Sequence, residues 1–218
     1  LIDGERCGRF TSTVMSGVRV GPSAMWMQRR LTAAGMRAIS NVVDVSNYVM
    51  LELNQPTHAY DLGTLGGGGF RIRAAADGER MITLDGVERT FTPADVLICD
   101  AADRPFGIGG VMGGLDTEIT DDTTTVALEA AWFTPLPIMQ TAQRLGLRSE
   151  ASARYERGCD PYVIDTAIAR FAELLRETCP ELVVHPGTDD ARGPGLPPAE
   201  RSVTVSPPWN PVSFSRST

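Results

Sequence analysis

A glutamate stands in the middle of an apolar run, VALEAAWF, at position 129. In a buried strand an ionised carboxylate costs on the order of several kcal/mol unless it is paired. Glu129 therefore either points to solvent from a sheet edge or waits in a pocket for a donor, and a ligand hydroxyl is such a donor. The chain has two histidines, His58 in the stretch QPTHAYD and His185 in a Pro/Gly-rich region. With an ordinary pKa near 6.5, a loop histidine suits acid, base or hydrogen-bond chemistry, and equally a structural role. Asn47, in VSNYV, offers an amide that packs, caps or binds.

Two further stretches stand out. GIGGVMGG, residues 107 to 114, has the glycine density that permits close backbone approach, and its N–H groups around Gly110 and Gly113 could hold a carbonyl, ribose or phosphate oxygen. A tight bend between strands is the plainer reading. It is neither a Walker loop, since no Gly-Lys-Ser/Thr follows, nor a dinucleotide fingerprint. LGLRSEASARYERGCDP, residues 145 to 161, puts Ser149, Glu150, Ala151 and Ser152 before a turn bearing Arg154, Glu156 and Arg157. Small residues with hydroxyls at a helix start suit a cap or the wall of a narrow pocket.

Other chemistries are excluded or disfavoured. All 20 basic residues are arginine, so no lysine can form a Schiff base. Cys7, Cys99, Cys159 and Cys179 form no CxxC pair and read as reduced packing residues, with no metal site and no disulfide framework expected. A net charge of −7 argues against a protein that grips nucleic acid by neutralising many phosphates, and leaves contact with one nucleic-acid end open. No run of eighteen apolar residues and no signal peptide are found, which makes the cytoplasm the expected compartment. The chain opens Leu-Ile-Asp-Gly without a methionine and is expected to be a fragment or excised domain.

These residues need elements to position them, and 218 residues with 42% hydrophobic content suffice for one large domain or two small ones. Residues 9 to 20 read as a strand. Pro22 opens a helix that Gly35 stops, and NVVDVSNYVMLEL, residues 41 to 53, reads as a second helix. NQPTHAYD reads as a polar loop interrupted by Pro56, and GGGG at 66 to 69 as a flexible joint. From 70 to 130 the period becomes two, with Asp85-Gly86 marking a hairpin. Helices resume after Thr134-Pro135 and after Asp160-Pro161, the second carrying an apolar stripe from Val163 to Leu175. Residues 185 to 199 read as a linker or ragged loop, and RSVTVS as a possible last strand. The order predicts an α+β fold, a largely antiparallel sheet or sandwich flanked by helices. It is expected to occupy residues 1 to 184, with residues 185 to 218 as a tail.

Taken in order, NVVDVSNYVMLELNQPTHAYD, GGVMGG, VALEAAWF and LGLRSEASARYERGCDP resemble the beta chains of bacterial phenylalanyl-tRNA synthetases, from about residue 6 to about residue 180. The matched region is similar to their editing module, an α+β unit with an unusual β-sandwich. The resemblance implies hydrolysis of tyrosine wrongly esterified to phenylalanine tRNA. A synthetic pocket rejects an added hydroxyl only about 10²-fold, whereas a pocket built to bind that hydroxyl discriminates by roughly 10⁴ to 10⁵. It implies that Glu129 reads the tyrosine hydroxyl and that Asn47 and His58 position the ester and terminal adenosine, with His58 or the ribose hydroxyl activating water. Gly110 and Gly113 would form the close wall, and Ser149 and Ala151 the pocket side, Ser149 standing where the family more often has threonine. It further implies an alpha-chain partner in a tetramer of two alpha and two beta chains, the tRNA 3′ end as ligand, ATP and Mg only in the complete synthetase, and neither DNA nor membrane as partner. SPPWNPVSFSRST, after residue 205, does not resemble the family's continuation. A noncatalytic scaffold and a free-standing deacylase acting in trans are the alternative functions.

Overall fold

The computed structural model describes residues 1–199. In chain order its elements are β1 (Cys7–Ser16), α1 (Met25–Ala33), α2 (Asn41–Leu53), β2 (Thr57–Asp61), β3 (Phe70–Ala74), β4 (Arg80–Ile82), β5 (Glu88–Thr90), β6 (Val96–Asp100), β7 (Pro105–Ile108), β8 (Met112–Gly113) and β9 (Thr125–Phe133). Then follow α3 (Pro135–Leu145), α4 (Glu150–Tyr155), α5 (Ile164–Leu175), β10 (Val183–Val184) and β11 (Asp189–Arg192). The fold is α+β with antiparallel sheets.

Two sheets face each other. One runs β10-β1-β9-β2, with β11 beside β10 along the same edge of β1; the other runs β3-β6-β7-β8. Side chains alternate across a strand, so Phe10 of β1 and Tyr60 of β2 turn inward to meet Phe70 of β3 and Phe106 of β7, at centroid distances of 5.3 Å for Phe10–Phe70 and 4.9 Å for Tyr60–Phe106. On the outer face of the first sheet lie α2 and α5. With both faces covered, β9 is buried from Val126 to Phe133, which is why its sequence is a nearly continuous apolar run. The α5 stripe is buried at Ile164, Ala167, Ile168, Phe171, Leu174 and Leu175 against it.

Four expectations are revised. NQPTHAYD is not a loop throughout: Asn54 adopts the left-handed conformation that ends α2, and Thr57–Asp61 then pairs with β9 over five residues. Pro56 sits just before the strand, where its missing N–H removes no ladder bond. The GGGG stretch is a packed turn rather than a joint, with Gly66 N–H donating to Asp100 Oδ2 at 3.2 Å. Asp160 accepts from Tyr162 N–H at 2.9 Å to close a turn, and α5 begins only at Ile164. The Pro/Gly-rich stretch after residue 185 contributes β11, paired with β1 from Arg9 to Ser12. RSVTVS lies outside the described residues.

One buried cation ties that returning segment to the body. Arg9, 1% exposed, donates to Asp190, to Asp165 and to the Pro161 carbonyl, so a single guanidinium joins β1, β11 and the start of α5. Of its partners Asp190 is partly buried and Asp165 is mostly exposed, so loss of the guanidinium leaves chiefly Asp190 and the Pro161 carbonyl short of a donor and empties the space the side chain fills. Arg9→Ala should therefore lower unfolding free energy by about 2 kcal/mol in denaturant titration, whereas Arg80→Ala, which breaks an exposed pair with Glu88, should change it by under about 0.5 kcal/mol. Equal effects of the two substitutions would contradict this anchoring role.

Candidate functional site

The antiparallel register of β2 on β9 sets His58 directly opposite Glu129, and β1 sets Ser12 opposite it on the other side. Directly opposed residues share a face, so His58, Glu129 and Ser12 all turn into the space between the sheets. Tyr60, two residues beyond His58, shares that face, and its hydroxyl donates to Glu129 Oε2 at 2.5 Å. The His58 and Tyr60 rings lie 4.2 Å apart. Glu129 is 5% exposed and among the described residues makes no ion pair and no other side-chain hydrogen bond.

The space is divided. An inner chamber of about 70 Å³ has Glu129 and Tyr60 in its wall and is bordered by Gly110, Gly113, Ala151 and Tyr155. A wider cleft of about 500 Å³ lies outside it, between α2, β2, the glycine turn and the start of α4. His58, Gly113 and Ala151 border both spaces. Asn47 and Ser149 border the outer cleft alone, and Glu129 and Gly110 the inner chamber alone. The seven residues singled out in the sequence thus fall into a floor, a junction and a mouth. His185 lies elsewhere, its Nε2 2.7 Å from Ser16 Oγ on the exposed surface.

The glycines have distinct reasons. A Cβ on Gly113 would come within 2.8 Å of the His58 imidazole. At Gly110 the backbone has φ of +66°, a region side-chain-bearing residues rarely adopt, and a Cβ would press on Tyr155 and Phe133. The amides flanking it are spent inside the turn, Gly109 on Val96 O and Val111 on Ile108 O. The Gly110 amide makes no backbone hydrogen bond among the described residues.

The opposite wall is held by a capping box at the start of α4. Ser149 Oγ accepts from Ser152 N–H at 3.0 Å while Ser152 Oγ accepts from Ser149 N–H at 3.0 Å. Ser149 Oγ also donates to the Val111 carbonyl at 2.7 Å, which fastens the glycine turn to the helix. Tyr155, at the other end of α4, sends its hydroxyl to Ala131 O and Pro56 O and stacks edge-on against Phe133. Ser46 Oγ donates to the Thr57 carbonyl at 2.5 Å, fixing α2 and hence Asn47 beside β2.

Sequence reasoning missed Tyr60 and Arg37. Once 57 to 61 is taken as a strand, the alternation His58, Tyr60 is the signal that finds the first. Arg37 borders the outer cleft from an exposed loop, as do Glu118 and Glu150 from other segments, and no local pattern identifies it. All four cysteines are buried free thiols, and burial pushes those of Cys99 and Cys159 up to about 12. Among the described residues no group of three or more His, Cys, Asp or Glu could hold a metal ion, and no helix is long and apolar enough to cross a membrane.

Burial controls the protonation of both central groups. It pushes the Glu129 carboxyl up to about 7, against the downward pull of the Tyr60 hydrogen bond. It pushes the His58 imidazole down to about 4, leaving it neutral at physiological pH. Glu129 binds its proton more tightly folded than unfolded, so its contribution to stability is full below about 4.5 and is lost as pH rises through about 7. His58 acts in the reverse sense: its contribution is present above about 6.5 and is lost as pH falls through about 4. Measured against Glu129→Gln, wild-type stability should fall by roughly 3 kcal/mol between pH 4 and pH 8. A difference that stays flat across that range would show that the carboxyl is not desolvated.

The family model described as the B3/4 domain matches residues 6–180. The phenylalanine-tRNA ligase beta subunit of Anaeromyxobacter dehalogenans is 50% identical over 171 residues, which cover 78% of this chain and 21% of that protein. That of Nitratidesulfovibrio vulgaris is 52% identical over 173 residues, 79% of this chain and 22% of that protein. An N-terminal fragment of the Pyrococcus horikoshii phenylalanyl-tRNA synthetase beta subunit is a remote structural likeness, with a TM-score of 0.44 and 12% identity, covering 74% of this chain and 44% of that one. The chain spans about one fifth of the length of the curated relatives it matches. Matched by the family model from residue 6 to residue 180, the chain belongs to the B3/4 domain family.

Proposed function

We propose that this chain is the editing part of a phenylalanine-tRNA ligase beta subunit and hydrolyses the ester that joins tyrosine to phenylalanine tRNA. The observation that carries the reading is the buried Glu129 carboxylate, which has one protein donor and stands in the wall of an inner chamber. A phenol hydroxyl entering that chamber supplies the missing donor. A phenyl ring leaves the second carboxylate oxygen without a donor, at a cost of about 1 to 3 kcal/mol. The similar beta subunits support the substrate class.

In this reading the side chain occupies the inner chamber and the terminal adenosine the outer cleft, so the ester lies at the junction beside His58. An imidazole whose conjugate acid lies near 4 is a weak base but is always free to accept a hydrogen bond. His58 therefore orients the attacking water, and the vicinal ribose hydroxyl relays its proton to the leaving oxygen. Gly110 borders the inner chamber, and its amide, which has no backbone partner among the described residues, is assigned the ester carbonyl where the ester meets that chamber. Asn47 holds the ribose from α2, and Arg37 offers a cation to a terminal phosphate. Ser149 acts through the backbone by holding the Val111 carbonyl, and Ala151 keeps the junction wide.

The complete enzyme would pair two alpha with two beta chains in the cytoplasm. ATP and Mg would serve aminoacylation elsewhere in that assembly.

Deacylation tests the reading when the full-length enzyme carrying this chain is given tyrosine-charged and phenylalanine-charged phenylalanine tRNA. Wild type should release tyrosine selectively, and Glu129→Ala should lower kcat/KM for the tyrosyl ester by roughly 10² while leaving the phenylalanyl ester within a few-fold. If the folded enzyme hydrolyses neither ester, the chain is a scaffold and the reading is wrong.

A further inference from the structure

Glu129 can read a hydroxyl only if one of its oxygens is held in place. Four carboxylate lone-pair directions in a desolvated chamber would otherwise let the group swing, or take up a proton and become a donor as well as an acceptor. Among the described residues the side chain that donates to this carboxylate is Tyr60. Its ring is 1% exposed and is clamped on three sides, 4.2 Å from His58, 4.9 Å from Phe106 in an edge-on contact and 5.8 Å from Phe70. A ring so packed has one orientation, and its hydroxyl is delivered to Glu129 Oε2 at 2.5 Å. Burial raises the phenol well above its ordinary pKa, so it remains a donor across the physiological range.

We infer that Tyr60 is the specificity-positioning residue of this site, occupying Glu129 Oε2 so that Oε1 alone meets an incoming phenol. The inference rests on the editing reading and extends it. Tyr60 touches both the carboxylate at the chamber floor and the imidazole at its junction. The group that fixes the hydroxyl sensor is therefore also the one against which the tilted His58 ring packs. One further consequence concerns charge. The Tyr60 hydrogen bond favours the ionised carboxylate, and an ionised acceptor binds a phenol about twice as strongly as a neutral one.

The titratable groups that share the chamber with Glu129 are His58 and Tyr60 from β2 and Tyr155 from α4, with the Cys7 thiol of β1 farther along the sheet opposite Phe133. His58 titrates near 4, and burial holds the two phenols and the thiol above their ordinary values. Between about pH 5 and pH 8 the Glu129 carboxyl is thus the member of this group that changes charge.

The experiment is steady-state deacylation by the full-length enzyme carrying this chain, with wild type, Tyr60→Phe and Glu129→Ala compared across pH 5 to 8 on tyrosyl and phenylalanyl esters of phenylalanine tRNA. Tyr60→Phe keeps the ring and removes only the donor. It should lower the tyrosyl-over-phenylalanyl ratio of kcat/KM about tenfold, chiefly through KM, and move the pH midpoint of tyrosine release upward. Replacing Tyr60 by 3-fluorotyrosine, which keeps the donor and makes it more acidic, should restore the ratio and place the midpoint below that of wild type. A folded Tyr60→Phe enzyme with unchanged ratio and unchanged midpoint, while Glu129→Ala loses selectivity, would overturn the role of Tyr60 and leave the editing reading standing. Unchanged selectivity in Glu129→Ala as well would overturn both. If Tyr60→Phe unfolds, the fluorotyrosine enzyme decides: a more acidic donor should lower the midpoint below that of wild type, and an unmoved midpoint would refute the inference.

Discussion

The hydrogen bond from Tyr60 to Glu129 is the interaction around which the rest of the structure is arranged. A carboxyl at the middle of a largely apolar strand loses its water when the two sheets close, and one phenol is the donor the protein returns to it. One hydrogen bond does not replace a hydration shell, and the raised proton affinity of Glu129 records the shortfall. Such a conflict between local sequence and burial is expected where a site must recognise something, because consistency elsewhere is what lets one position remain unsatisfied.

Keeping that position open requires rigid walls on each side. The glycine turn approaches His58 so closely that a methyl group at Gly113 would strike the ring, while Ser149 and the capping box of α4 hold the same turn through the Val111 carbonyl. From the outer face, α2 is tied to β2 through Ser46 and Thr57. From the edge, Arg9 gathers β11 and the start of α5 onto β1, the strand next to the one that carries Glu129. Each fastening uses polar groups that are paired with one another, which leaves the Glu129 carboxyl with Tyr60 as its one side-chain donor among the described residues.

Much of this was legible in the sequence, and the exceptions have physical causes. The helix over 41 to 53 has Ser40 as its cap, with an apolar stripe behind it, and both signals are local. Glu129 announced itself because a charge in an apolar run has few explanations. Tyr60 did not, since its importance depends on reading THAYD as a strand, and Pro56 with its polar neighbours imitates a loop. The pairing that makes those five residues a strand comes from β9, nearly seventy positions later in the chain, and no local propensity contains it. The strand at 189 to 192 was hidden in the same way, by a Pro/Gly-rich composition whose order is supplied by β1 and Arg9. Asn47 and Ser149 were found as residues, but their separation from Glu129 into an outer cleft is a fact of packing between elements.

The central claim is that the inner chamber measures one hydroxyl. Binding tests it most directly, by calorimetric titration of the full-length enzyme with non-hydrolysable adenosine analogues that carry tyrosine or phenylalanine through a 3′-amide. Tighter binding of the tyrosyl analogue by at least about tenfold, abolished by Glu129→Ala, is the result this account predicts. Equal affinity for the two analogues in the wild-type enzyme would contradict it.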